Sequence, residues 1–174
     1  MEFIKNLNEI MNQIAYGWVD RSGKKHTDLD DFSANYILQS PAELRESKLG
    51  VCWDQAELER QILSKNSQEP HVFNIIHYAN SINPKHRTHT FVLFDYQNHS
   101  YWYEHAWEKQ AGLHEFENQT AALTEIRNIF IEKELDNNYD PDYLVIYEYP
   151  APPAHLSSEE FYGHCEQNGR KITL

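Results

Sequence analysis

The sequence predicts an α+β fold in which a helix opening at Cys52 packs on a mainly antiparallel sheet. Three observations carry that expectation. Helices come first, then three strand-like segments in succession, then a helix and a last strand, an order typical of α+β architecture. Two of the strands are separated only by Asp95-Tyr-Gln-Asn98, a polar run that reads as a hairpin turn. The length of 174 residues suits one domain. A single domain over 1–174 is expected, with its core over roughly 40–150, a helical N-terminal segment over 1–39 and a short C-terminal helix.

Taking the elements in order, Phe3, Leu7, Ile10, Met11 and Ile14 recur at helical spacing, so 2–15 reads as an amphipathic helix that Gly17 ends. The stretch 18–31 is polar, with Ser22-Gly23 as a turn. A short helix is expected around Phe32 to Leu38. Ser40-Pro41-Ala-Glu43 combines a capping serine, a first-turn proline and an early acid, and starts a brief helix that stops near Gly50. Residues 52–65 contain strong helix formers and no breaker, with acids early and Arg60 and Lys65 late, as the helix dipole favours. Strands are expected over His71–Ala79, Thr88–Phe94, Ser100–Trp107 and Tyr143–Tyr149, and 112–118 reads as irregular. Residues 119–135 read as a helix with Thr120 as its cap, and Ser157-Ser-Glu-Glu160 is the capping signature of a last short helix.

Composition narrows the function classes. Aromatic residues reach 13% within a hydrophobic share of 40%, so rings build much of the core. The net charge of −12, from 27 acidic and 15 basic residues, opposes binding to phosphate backbones or anionic membranes. No apolar run approaches the roughly 20 residues of a membrane span. Cys52 and Cys165 are too few and too far apart for a disulfide framework, which points to a reducing cytoplasm and free thiols. Ten histidines invite a metal reading, yet His86, His89, His99, His105 and His114 show no H-E-x-x-H spacing and no C-x-x-C pair accompanies them. No metal or other cofactor is expected.

Cys52 stands at a helix start, where unpaired N–H groups and the dipole favour a thiolate and can donate to an oxyanion. Gly50 lets the chain approach that start closely. If Asp95 to Asn98 form a four-residue loop, Phe94 pairs with His99 and the register sets His89 opposite Glu104. Residues directly opposite on antiparallel strands share a face, so the glutamate can hold one ring nitrogen and leave the other for a nucleophile. The expected catalytic residues are therefore Cys52, His89 and Glu104. Asp54 competes for the acid role but lies close in sequence to the thiol. Gln39 and Trp18 are the upstream residues that could add a second oxyanion donor.

Gly50-Val-Cys-Trp-Asp-Gln-Ala-Glu-Leu58, Thr88-His-Thr-Phe-Val-Leu-Phe94 and Tyr101-Trp-Tyr-Glu-His-Ala-Trp107 together resemble the transglutaminase-like superfamily, within the papain-like cysteine-enzyme fold. The resemblance covers residues 50–107 and keeps the order cysteine, histidine, acid. Where that family usually carries an aspartate followed by a small residue, this chain has Glu104-His-Ala-Trp. The resemblance implies acyl transfer through a thioester on a peptide, protein or small amide, resolved by water or an amine. A binding or regulatory module that keeps the fold with a disused site is the main rival. An effector-like modifier of another protein, using the same thiol, is a third reading. Tyr101, Trp102 and Tyr103 are expected in the sheet and core, and Cys165 is expected to be an incidental thiol.

Overall fold

The computed structural model describes residues 1–66 and 68–174. Helix α1 (Glu2–Met11) buries Ile4, Leu7 and Met11. It stops short of residue 15 because the next segment is claimed by strand pairing: Ala15 N–H donates to Lys48 O, and β1 (Ala15–Tyr16) runs parallel to β4 (Leu49–Gly50). Between them lie the small ribbon of β2 (Trp18–Val19) and β3 (Lys25–His26), then α2 (Phe32–Asn35) and α3 (Pro41–Ser47). The Ser40–Glu43 capping box starts α3 as its sequence implies. Helix α4 (Cys52–Lys65) has the bounds read from its composition.

The strands that follow are β5 (Pro70–His77), β6 (Arg87–Tyr96), β7 (His99–Glu104) and β8 (Gly112–Phe116). Helix α5 (Gln119–Leu135), β9 (Leu144–Glu148), α6 (Ser158–Asn168) and β10 (Arg170–Ile172) complete the chain. The six long strands form one sheet in the order β10-β9-β5-β6-β7-β8, every pairing antiparallel. The architecture is thus α+β with a mainly antiparallel sheet. Two edge strands differ from expectation. Residues 112–116 become a strand by pairing with β7, and 170–172 by pairing with β9, so neighbours rather than their own patterning recruit them. The cap of α5 is Asn118, whose side chain accepts from Ala121 N–H, rather than Thr120.

The sheet separates two cores. On one face Val72, Val92, Phe94, Tyr101 and Tyr103 pack beneath α4, joined by Leu7 and Met11 of α1, Leu44 of α3 and Phe161 of α6. On the other, Phe73, Ile75, Phe91, Leu93 and Trp102 pack against Ala122, Ile126 and Phe130 of α5. Alternation along each strand produces this division, since successive side chains point to opposite faces. Among the described residues no helix is long and apolar enough to cross a membrane.

The β6–β7 turn has two residues, not four. Tyr96 pairs with His99, and Gln97 and Asn98 take φ of 50° and 67°. Positive φ at both positions is the type I′ geometry that matches strand twist. The register therefore differs by two residues from the one a four-residue loop would set.

Candidate active site

Cys52 is the first residue of α4 and is buried. The chain reaches it through Gly50, where a β-carbon would lie 2.6 Å from Leu44 Cδ1 and 2.8 Å from Asp54 Cβ. Close approach, not a left-handed backbone, is what reserves the position for glycine. Asp54 anchors this turn. Its carboxyl accepts from Val51 N–H at 3.0 Å, Gln39 N–H at 2.9 Å and Tyr36 O–H at 2.9 Å, which binds the 36–39 segment to the start of α4. Burial lifts the Asp54 carboxyl to about 7 against those bonds. Three structural donors occupy Asp54, so it serves the helix start rather than the histidine.

The helix start favours ionisation of Cys52, but burial dominates. Desolvation pushes the thiol up to about 12, Glu104, Asp54 and Glu134 add to the rise, and a hydrogen bond from Thr90 N–H opposes it. The resting group is a neutral thiol, where the position in sequence favoured a thiolate.

His89 and Glu104 meet. The ring Nε2–H donates to Glu104 Oε2 at 2.8 Å, and both side chains are only 2% exposed. The other carboxylate oxygen accepts from Trp107 N–H at 2.7 Å. The Trp107 indole lies flat on the imidazole, with ring centres 3.6 Å apart and planes 8° from parallel, and Lys133 of α5 sits over the indole. The paired register would put Glu104 opposite Phe91, two residues from His89, so the contact is diagonal. A shift of two keeps both side chains on one face, whereas a shift of one would have parted them.

That face is the α5 side, shared with Phe91 and Trp102, while Cys52 belongs to the α4 side. The two sides come nearest where the β6–β7 pairing ends. The β6–β7 pairing runs from Tyr96↔His99 to Val92↔Tyr103, and β7 then turns to β8 through Glu104↔Gly112. Cys52, Gln55, Ala56, Glu59, Thr90 and Phe91 there close on Tyr103 to Ala106 around a crevice too tight for a water molecule. Cys52 and Glu104 thus line one closed crevice, and Glu104 holds His89, which stands outside that lining. Sγ is engaged by the Thr90 backbone; His89 Nδ1 has no hydrogen-bond partner among the described residues.

Other residues singled out in the sequence have different employment. Gln39 Nε2 donates to Leu49 O and Trp18 Nε1 to Asp28 O, so neither amide nor indole faces the thiol as a free donor. Trp53 stacks on Phe161 in the core. Cys165 is buried and accepts from Asn74 Nδ2 at 3.8 Å. His105 donates to Ile14 O and His114 to Gln110 O. Among the described residues no three His, Cys, Asp or Glu side chains gather as a metal site would require. Two buried groups beside the thiol were not legible in the sequence: Glu59, which read only as an early acid suiting the helix dipole, and the Gln55 side-chain oxygen, which has no partner among the described residues. No family model, curated protein or solved structure matches this chain.

Proposed function

We propose that the protein is a papain-like, transglutaminase-like thiol enzyme that acts on an amide carbonyl, with Cys52 as nucleophile, His89 as base and Glu104 as the group that orients it. The buried His89–Glu104 pair, whose glutamate lines one crevice with the helix-first Cys52, carries this reading. Enclosing an imidazole and a carboxylate costs desolvation that an apolar pair would not, and the fold gains little from it. The pair is intelligible as a device that commits Nε2 to the glutamate and leaves the Nδ1 lone pair for a proton.

Because the thiol rests neutral, the chemistry is general-base catalysis. As the Cys52 sulfur forms its bond to the carbonyl carbon, the thiol proton passes to His89 Nδ1, a transfer that requires the crevice at Glu104 to open. The carbonyl π pair moves onto oxygen. Its return expels the amine, which takes the proton from Nδ1 and leaves a thioester on Cys52. Water or a second amine then attacks the thioester, with His89 again accepting a proton. Peptide, protein or small-amide substrates fit this scheme, and no cofactor takes part in it.

Acylation by p-nitrophenyl acetate tests the proposal. One equivalent of p-nitrophenolate should be released in a burst that Cys52→Ala abolishes, and His89→Gln should slow it by about 10²–10⁴-fold. A wild-type protein that shows no Cys52-dependent burst refutes it. The binding-module reading would then stand, favoured by the enclosure of the thiol and its bond to the Thr90 backbone.

A further inference from the structure

Helix α4 carries a second concave surface that the reaction at Cys52 does not use. Cys52, Gln55, Ala56 and Glu59 face the sheet, whereas Glu57, Arg60 and Ser64 lie round the helix from them. There α4 meets the segment before α3 and the turn after β9 around a pocket of about 280 Å³. Leu38, Pro41 and Pro152 give it an apolar wall. An apolar hollow with a few convergent polar groups is what small-molecule sites share.

Two of its polar groups have capacity to spare. Arg60 is committed along one edge: Nε donates to Glu57 Oε2 at 2.9 Å, and Nη2 donates to Glu57 Oε1 at 3.1 Å and to Tyr149 O at 3.1 Å. Among the described residues Nη1 has no partner, and the side chain is 15% exposed. Gln39 is 6% exposed. Its Nε2 donates to Leu49 O at 2.8 Å and its backbone N–H to Asp54 at 2.9 Å, which fixes the residue and leaves Oε1 with no donor among the described residues. A buried acceptor without a donor is exceptional in a folded chain.

We propose that this pocket binds a neutral primary carboxamide carried on a small aliphatic group, with Arg60 Nη1 donating to the amide oxygen and Gln39 Oε1 accepting an amide N–H. The charges of the site select a neutral ligand. Glu57 and Arg60 cancel each other, so neither sign is favoured. A carboxylate would face Gln39 Oε1 lone pair to lone pair, and an ammonium group would meet the Arg60 guanidinium. The inference is independent of the reading of Cys52, which lies on the other side of the helix.

The probe is N-acetylleucinamide, added to the full chain and followed by heteronuclear NMR of the Gln39 side-chain amide and the Arg60 Nε–H. Both signals should shift to saturation, and N-acetylleucine, the matching carboxylate, should bind at least about 10-fold more weakly. Ser64→Trp and Ala154→Trp each place an indole at an exposed rim position. Either should weaken the amide by about 10-fold or more and leave urea unfolding unchanged. Arg60→Lys keeps a cation beside Glu57 but loses Nη1, and should weaken the amide similarly. Shifts that stay linear to about 100 mM overturn the proposal. So does a carboxylate that binds as well as the amide, or wild-type binding by both rim variants.

Discussion

Asp54→Ala should cost more stability than any surface change, because it orphans three donors at once. Val51 N–H, Gln39 N–H and Tyr36 O–H all end on this carboxyl, and Asp54, Val51, Gln39 and Tyr36 are all buried. A buried donor left without a partner costs about 1–3 kcal/mol, and partial relaxation of a shared cavity brings three of them to about 3–5 kcal/mol. That is a large part of the roughly 5–15 kcal/mol that holds a domain folded. Urea unfolding followed by tryptophan fluorescence measures the loss. The comparison is made at about pH 5 and pH 8, because the carboxyl is lifted from 3.8 to about 7 in the folded chain. Between those values the folded state binds the proton and the unfolded state does not, so the contribution of Asp54 is full below about pH 4 and falls as pH rises to 7. The penalty of Asp54→Ala is therefore larger at pH 5 than at pH 8. A loss below about 1 kcal/mol, or a penalty that grows with pH, would refute the role given to Asp54.

Two further outcomes follow from the same corner. Gly50→Ala forces a β-carbon to within 2.6 Å of Leu44 Cδ1 and 2.8 Å of Asp54 Cβ, so it should destabilise the chain by about 1–3 kcal/mol in urea unfolding; wild-type stability would mean that the approach is looser than described. With the Cys52 thiol pushed up to about 12, its alkylation by iodoacetamide in a Cys165→Ser background should climb through pH 9 without a plateau and stay slower than that of a free thiol of pKa about 8.5. A plateau near neutrality would reveal a preformed thiolate and displace the general-base scheme.

Much of the secondary structure was legible because its signals are local. The helix formers from Cys52 to Lys65 and the box at Ser157–Glu160 act through adjacent backbone, and α4 and α6 appear where those signals lie. Gly112–Phe116 and Arg170–Ile172 carry no comparable pattern and are strands only because β7 and β9 offer them free edges. The catalytic expectation divides in the same way. The His89–Glu104 contact is present although the assumed turn length was not, since an even change of register preserves the face.

Periodicity and propensity by themselves determined that a helix begins at Cys52 and that strands around His89 and Glu104 pair as a hairpin. The tertiary structure decided the turn length that sets His89 and Glu104 on one face, which helix covers that face, and that a buried Cys52 keeps its proton. The division has a physical cause. Backbone preference and side-chain alternation act over a few residues, whereas desolvation and the packing of layers depend on which distant segments exclude water from a given atom.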